Sequence, residues 1–210
     1  MGKNRRADSY ARRGPVREPY DTVLIVCEGA KTEPLYFGGL RTEHRLSSAN
    51  IAVTNAPGTD PMSIVTYTEQ LMAEEDYDRA FSVFDQDSHA NFSQAVQHVT
   101  NSARGRAGTW QAITSVPSFE VWLMLHFAYS TAPIIRSGNR SPGDMAVRAL
   151  KVHLPEYEKG ANGIYQKLKD QTESAIANSA RLLRYNRTVN ASNPATDVHI
   201  LVDYLRKLKG

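Results

Sequence analysis

The sequence predicts an α/β fold in which a mostly parallel sheet carries helices on both faces. Short apolar segments rich in β-branched residues alternate with amphipathic segments, which is the order expected of repeated strand–helix units. The first strand-like segment is apolar on both faces, as in a buried parallel strand. With 210 residues, 41% of them hydrophobic, the chain is long enough to bury a substantial core.

Four segments predict strands, and each is followed by a helical pattern. The strand-like segments are TVLIVC, IAVTNA, RAFSVFDQD and WQAITSV. The helical segments are Glu33 to about Arg45, MSIVTYTEQLMAEE with Asp60 as its cap and Pro61 in its first turn, HANFSQAVQHVTNSAR ending at Gly105, and SFEVWLMLHFA capped by Ser118.

Beyond the fourth unit the pattern changes. Residues 129–142 predict a long loop, and only helical patterns follow, at about 143–153, 163–187 and 195–208. We therefore expect a disordered basic arm over residues 1–19, an α/β core over 20–130 and a helical region over 131–210 that packs on the core. The arm is either a nucleic-acid contact or a solubilising tail.

The net charge of +3 is unevenly distributed along the chain. Residues 1–19 have six basic and two acidic groups. Residues 20–130 have six basic and thirteen acidic groups, and residues 131–210 have thirteen basic and seven acidic groups. The three parts thus have net charges of +4, −7 and +6. This pattern indicates an acidic centre that collects divalent cations beside surfaces that attract phosphate, or else an ordinary solvated surface.

Composition also excludes several classes of protein. The chain has no run of 18 apolar residues, so we expect no membrane-spanning segment, and the basic N-terminus lacks the apolar stretch of a signal peptide. The single cysteine, Cys27, excludes an internal disulfide and favours a cytoplasmic protein. Because Cys27 lies within the first apolar strand, we expect a buried thiol rather than a nucleophile.

Acidic residues stand where apolar segments end. Glu28 follows the first strand, Asp85 and Asp87 follow the third, and Glu120 opens the helix after the fourth. The carboxyl ends of neighbouring parallel strands form the sites of such sheets, and hard carboxylate oxygens select Mg²⁺ or Mn²⁺. Taken singly, each acid also has a local explanation as a turn residue or a helix-dipole partner.

Three stretches, VLIVCEGAKTEPLYFGGLR, FSVFDQDSH and SVPSFEVWLMLHF, resemble the RloB family, whose core is similar to the Toprim domain of topoisomerases, primases and OLD-type nucleases. Glu28, Asp85 and Asp87 match the Toprim signature of a Glu after the first strand and an Asp-x-Asp after the third. Ser118 and Glu120 look like the Ser-x-Glu that helps bind a second metal ion in OLD-type relatives. Glu33 looks like the second acid of the family's Glu-Gly loop.

The resemblance implies cleavage of phosphodiester bonds in nucleic acid with Mg²⁺ or Mn²⁺. In the two-metal scheme, Glu28 and the two aspartates hold the first ion, and Glu120 holds the second with Ser118 and Glu33. The family association with an ATPase encoded nearby suggests a role as an effector in prokaryotic anti-phage defence. The chain has no Walker A motif, so nucleotide hydrolysis would belong to that partner. A folded RNA such as tRNA, read by its shape and phosphates, suits a sequence without RNA-binding motifs.

Several other residues are candidates for substrate contacts. Lys31 follows Glu28 in the turn and is a candidate catalytic residue, and Gly29 is expected to adopt a positive φ there. The basic candidates for nucleic-acid binding are Lys167, Lys169, Arg181, Arg184 and Arg187, of which the lysines are also candidates for a position near the metal. His89 is a candidate contact of metal or substrate, and we expect His126 to be a core histidine.

Two other functions are compatible with these residues. A non-catalytic module of the same fold would bind a nucleotide or nucleic acid and regulate a partner ATPase. Phosphoryl chemistry on a small nucleotide is the other alternative, although the basic ends of the chain argue against it. The sequence does not distinguish RNA from DNA as the substrate. It also leaves open the activating trigger and the oligomeric state.

Overall fold

A computed structural model describes residues 19–87 and 89–209 of the chain. Five strands form one sheet in the order β2-β1-β3-β4-β5. The first four are parallel, and β5 pairs antiparallel with the end of β4. The strands are β1 (Val23–Cys27), β2 (Ile51–Asn55), β3 (Arg79–Asp85), β4 (Trp110–Val116) and β5 (Ala195–Thr196).

Helices fill the connections between the strands and most of the C-terminal third. They are α1 (Thr32–Glu43), α2 (Pro61–Glu74), α3 (Phe92–Asn101), α4 (Ala103–Arg106), α5 (Glu120–Met124), α6 (Pro142–Leu150), α7 (Ile164–Leu168), a 3-10 turn (Lys169–Gln171), α8 (Thr172–Val189) and α9 (Val198–Lys207). In the described part of the chain, none of these helices has the length and apolarity that a membrane crossing requires.

The two faces of the sheet bury two separate hydrophobic clusters. Because successive side chains of a strand point to opposite faces, Val23 and Ile25 of β1 enter one cluster and Leu24 and Val26 enter the other. The first cluster includes residues of α1 and of α5 to α9, and the second includes residues of α2 and α3. The predicted α/β class, with a mostly parallel sheet covered on both faces, is confirmed.

Local signals located several element boundaries correctly. Asp60 caps α2, since its Oδ1 accepts a hydrogen bond from the Ser63 backbone N–H at 3.2 Å, and Pro61 is the first helical residue. The predicted basic arm, by contrast, lies outside the described residues apart from Pro19.

The prediction that Gly105 ends the third helix is wrong. The helix α3 ends at Asn101, and Gly105 lies inside the next short helix, α4. Ser102 starts this new turn by accepting the Gly105 N–H at 2.8 Å. A Cβ atom at Gly105 would lie 1.9 Å from the Val99 carbonyl oxygen, so glycine is needed here for close packing and not as a helix stop.

Two further predictions about helices need correction. The helix after β4 has only the five residues of α5, and Ser118 does not cap it, because the Ser118 hydroxyl donates to the Glu120 carboxylate instead. The C-terminal region is not purely helical, since Ala195 and Thr196 form β5. The helix predicted over 163–187 is divided by the 3-10 turn into α7 and α8.

Candidate active site

The site lies where the strand order reverses. The chain passes from β1 to β2 on one side and from there to β3 on the other side of β1, which leaves a crevice beyond the carboxyl ends of β1 and β3. Glu28 and Asp85 meet there. The Glu28 N–H donates to the Val83 carbonyl at 2.9 Å, and the Asp85 N–H donates to Glu28 Oε2 at 2.8 Å.

A pocket of about 320 Å³ opens at this point. It brings together four of the predicted acids, Glu28, Glu33, Asp85 and Glu120, and the predicted Lys31. The other lining residues are Gly29, Ala30, Thr32, Thr59, Phe119 and Lys159. Acids separated by up to 92 positions in the sequence, from Glu28 to Glu120, therefore share one cavity.

Glu28 is only partly shielded from solvent. Its side chain is 16% exposed, and the His89 Nε2 atom lies 3.7 Å from Glu28 Oε1. Burial raises the pKa of Glu28, although the hydrogen bond from the Asp85 N–H and the charge of His89 oppose the rise. This places His89 beside the acid pocket, as a candidate contact.

Burial and mutual repulsion act most strongly on Asp85 and Glu33. Burial, followed by the charges of Glu33, Glu28 and Glu120, raises the pKa of Asp85 well above its usual range. Burial likewise raises the pKa of Glu33 to about 7, with the charges of Glu120 and Glu28 adding to the effect. The acids in this pocket repel one another when they are ionised. A bound cation would relieve this repulsion and stabilise their ionised form.

Gly29 gives the Glu33 side chain its room. A Cβ atom at Gly29 would lie 2.4 Å from Glu33 Oε2, so the Glu33 carboxylate would have to move. The backbone of Gly29 is not among the described glycines with positive φ, so that prediction is wrong. A larger residue here would displace the Glu33 carboxylate from the position it holds in the pocket.

Glu120 is the most enclosed acid of the pocket, with 2% of its surface exposed. Its Oε2 accepts from the Ser118 hydroxyl at 2.6 Å, and its Oε1 accepts from the Tyr157 hydroxyl at 2.8 Å. The Lys159 Nζ atom lies 3.5 Å from the same Oε1. Tyr157 and Lys159 come from the segment between α6 and α7, and no sequence pattern identified them.

We call residues 155–163 the strap, because this segment brings Lys159 to the pocket lining. The Gly160 N–H donates to the Thr32 hydroxyl at 3.0 Å, which fixes the strap to the start of α1. Gly160 has a φ of +80°, and a Cβ atom there would lie 2.7 Å from the Lys31 Cβ. Both the conformation and the close approach require glycine.

Lys159 places an ammonium group in this pocket, 3.5 Å from the Glu120 carboxylate. Burial lowers the pKa of Lys159, but the charges of Glu120, Asp85 and Glu33 outweigh this effect and the net shift is upward. The ammonium group is therefore retained at neutral pH. Its side chain is 59% exposed, so Lys159 contacts both the buried Glu120 and the solvent from which a substrate would arrive.

Other predicted residues lie outside the pocket lining. Asp87 is exposed, has a φ of +33° and donates its N–H to the Pro117 carbonyl at 3.0 Å, although its charge still raises the pKa of Glu28. Lys167 pairs with Glu156 at 3.3 Å, and Lys169 pairs with Glu43 at 2.9 Å.

The three predicted arginines of α8 are exposed to solvent, and the Arg181 guanidinium lies 3.9 Å from the centre of the Tyr129 ring. The two residues expected in the core are there. Cys27 is fully buried, and burial lowers the pKa of His126 to about 4.

The acids do not form a ready-made metal cage. Within residues 19–87 and 89–209, no three carboxylate, imidazole or thiol side chains are placed to share one metal ion. In the same site Glu28 accepts the Asp85 N–H, and Asp85 Oδ2 accepts the Phe119 N–H at 3.1 Å. The donor chemistry nevertheless fits Mg²⁺ or Mn²⁺, since such an ion needs only one or two carboxylates and keeps several waters.

A family model described as "RloB-like protein" matches residues 23–205. The chain belongs to the RloB-like family. The matched range spans both the acids at the strand ends and the strap with Tyr157 and Lys159. Neither a curated protein nor a solved structure matches this RloB-like chain.

Replacing Glu33 with Gln should stabilise the metal-free protein at alkaline pH. The pKa of Glu33 rises from 4.5 to about 7 on folding. The contribution of Glu33 to the free energy of unfolding is therefore fully present below pH 4.5, where the side chain is protonated, and is lost as the pH rises through 7. Glu33→Gln should therefore raise the free energy of unfolding by about 2 kcal/mol at pH 8.5, which corresponds to a rise in Tm of roughly 4–8 °C. At pH 4 the rise in Tm should be much smaller. Thermal melts in EDTA, with Glu74→Gln as the surface control, measure this; an equal gain at both pH values would contradict the prediction.

Proposed function

We propose that this RloB-like protein is a metal-dependent nuclease that cleaves phosphodiester bonds in nucleic acid. The observation that supports it most is the meeting of Glu28, Asp85, Glu33 and Glu120 in one pocket at the ends of adjacent strands. Their mutual effect on the pKa of Asp85 and Glu33 is what a cation site would relieve. The resemblance to the Toprim signature points to the same chemistry.

In this proposal Glu28 and Asp85 hold the divalent ion. When bound, the ion supplies a Lewis acid for a phosphate oxygen and favours ionisation of a water molecule. The water oxygen bonds to phosphorus, the bond from phosphorus to the leaving oxygen breaks, and the proton lost by water is balanced by one taken up at the leaving oxygen. Lys159 places a positive charge beside the same pocket, where it would attract the substrate phosphate.

The substrate we propose is RNA, with a folded RNA such as tRNA as the first choice. The support is indirect: residues 131–210 have a net charge of +6, and three exposed arginines lie along α8. On the family resemblance alone, we place this activity in the cytoplasm of a prokaryote, as an anti-phage effector that works with an ATPase encoded nearby.

A second candidate is a non-catalytic module that binds nucleotide or nucleic acid and regulates a partner ATPase. One observation favours it: the carboxylates already accept hydrogen bonds from protein donors, and no three of them are poised around one ion in the described chain. A binding module of this kind would keep its affinity for nucleic acid when Glu28 is removed.

The test is to incubate the purified protein with Mn²⁺ and a mixture of tRNA, unstructured RNA, duplex DNA and single-stranded DNA. We expect cleavage of RNA that excess EDTA stops and added Mn²⁺ restores. Cleavage of DNA alone would correct the substrate class. Binding without cleavage of any substrate would favour the non-catalytic module, and cleavage that persists in EDTA would contradict metal dependence.

Arg181, Arg184 and Arg187 should contribute to binding by neutralising backbone phosphates. Changing all three to Ala should raise the Kd for nucleic acid roughly tenfold or more and reduce the salt slope by about 0.9 for each phosphate that is no longer neutralised. Fluorescence anisotropy at several salt concentrations, in Ca²⁺ to limit turnover, measures both. The matched control is Arg106→Ala, which removes an exposed arginine of α4. An unchanged slope in the triple variant would show that the α8 arginines are ordinary surface.

A further inference from the structure

Glu120 is already provided with hydrogen-bond donors. The hydroxyls of Ser118 and Tyr157 each donate to one of its oxygens, at 2.6 and 2.8 Å, and the Lys159 ammonium lies 3.5 Å from the second. In a two-ion site this carboxylate would be a ligand of the second ion. In this structure the Lys159 ammonium lies beside the same carboxylate.

The strap fixes Lys159 from both sides. Tyr157, two residues before it, is buried and bonded to Glu120, and Gly160, the next residue, donates its N–H to Thr32. The ammonium group therefore extends from a backbone that is anchored at the pocket wall. Lysine suits this position because its charge is compact and is strongly hydrated on the open side.

The remaining charges match a single divalent ion. Glu28 and Asp85 are joined by the Asp85 N–H, so their carboxylates are neighbours at the end of β1 and β3. With Glu120 paired to Lys159, and with the charge of Glu33 offset by that of Lys31 in the same pocket lining, one ion of charge +2 balances these two acids. A second such ion would have to displace the lysine or stand beside it, at the cost of like-charge repulsion.

We propose that Lys159 takes the place of a second metal ion, so that the pocket binds one divalent cation, at Glu28 and Asp85, and the lysine supplies the other positive charge. Glu120 is then a positioning residue that acts through Lys159 rather than a metal ligand. The use of the ion in cleavage rests on the proposed nuclease function, but the number of ions bound does not.

The test is isothermal titration calorimetry with Mn²⁺ on the full chain. The wild-type protein should bind one ion. Lys159→Met should bind two, because Glu120 and Glu33 are then free of a competing cation. Lys151→Met, a change at an exposed lysine eight residues away, should bind one. Glu120→Gln should still bind one ion with an affinity within about tenfold of wild type, since the ion does not use Glu120.

The outcomes separate this inference from the proposed function. Two ions in the wild-type protein, one ion in Lys159→Met, or loss of binding in Glu120→Gln would each overturn it while leaving metal-dependent cleavage intact. No Mn²⁺ binding by the wild-type protein would overturn both. Circular dichroism of each variant shows that it is folded, and Glu28→Gln combined with Asp85→Asn should abolish binding and so locate the ion.

Discussion

Replacing Asp85 or Glu28 with Ala should abolish cleavage of nucleic acid by this RloB-like protein, with a loss of roughly a thousandfold in rate. Both side chains lie at strand ends in the same pocket. Under the proposed function, each variant lacks one of the two carboxylates that would hold the ion. The fold should survive, because burial already raises the pKa of both acids and an uncharged side chain removes that unfavourable desolvation.

The measurement is the single-turnover rate on the substrate that the incubation experiment identifies, with Tm recorded for each variant. Glu74→Ala, at an exposed acid at the end of α2, is the matched control and should retain wild-type rate. A variant at Asp85 or Glu28 that retains full activity would remove the basis of the metal-centred proposal.

Glu120→Gln should lower the rate at least a hundredfold with little change in stability. If Glu120 only favoured the dipole of α5, the change would cost a few tenths of a kcal/mol and leave activity unaltered. Its contacts point instead to the site, because losing the carboxylate charge releases the Lys159 ammonium from its position. The amide can keep hydrogen bonds to Ser118 and Tyr157, so the free energy of unfolding should change by no more than about 1 kcal/mol.

Tyr157→Phe is a useful companion to this change. It removes one hydrogen bond to Glu120 but keeps the negative charge and its attraction for Lys159. The rate should fall much less than in Glu120→Gln. Equal losses in the two variants, or a drop in Tm large enough to explain the reduced activity, would show that Glu120 serves the fold rather than the reaction.

Most of the fold could be predicted because local signals and tertiary needs agree there. Buried parallel strands such as β1 are apolar on both faces, and Asp60 marks the start of α2 by its side-chain chemistry. Strand β5 could not be predicted, because two residues are too few to show a periodic pattern. Its pairing with Ser115 and Val116 joins segments that are distant in the sequence. The break between α7 and α8 likewise has no proline or other clear stop signal.

The acids of the site could be predicted because the carboxyl ends of parallel strands lie at one edge of the sheet. Glu28 and Asp85 follow neighbouring strands and therefore lie close together. Tyr157 and Lys159 could not, since they belong to an irregular segment and no spacing links them to Glu120. Asp87, which lies outside the pocket lining, has a positive φ that its residue type does not demand.

The burial of Cys27 makes the protein its own reporter of local opening. This single thiol is 0% exposed and lies directly before Glu28 in the strand that supports the pocket. A thiol reagent can reach it only when the elements packed around Cys27 open, so the rate of modification in native conditions measures the free energy of that opening. An ion bound at Glu28 favours the closed strand by mass action. Slower thiol modification with increasing Mn²⁺ would thus register occupancy of the pocket before any substrate is known.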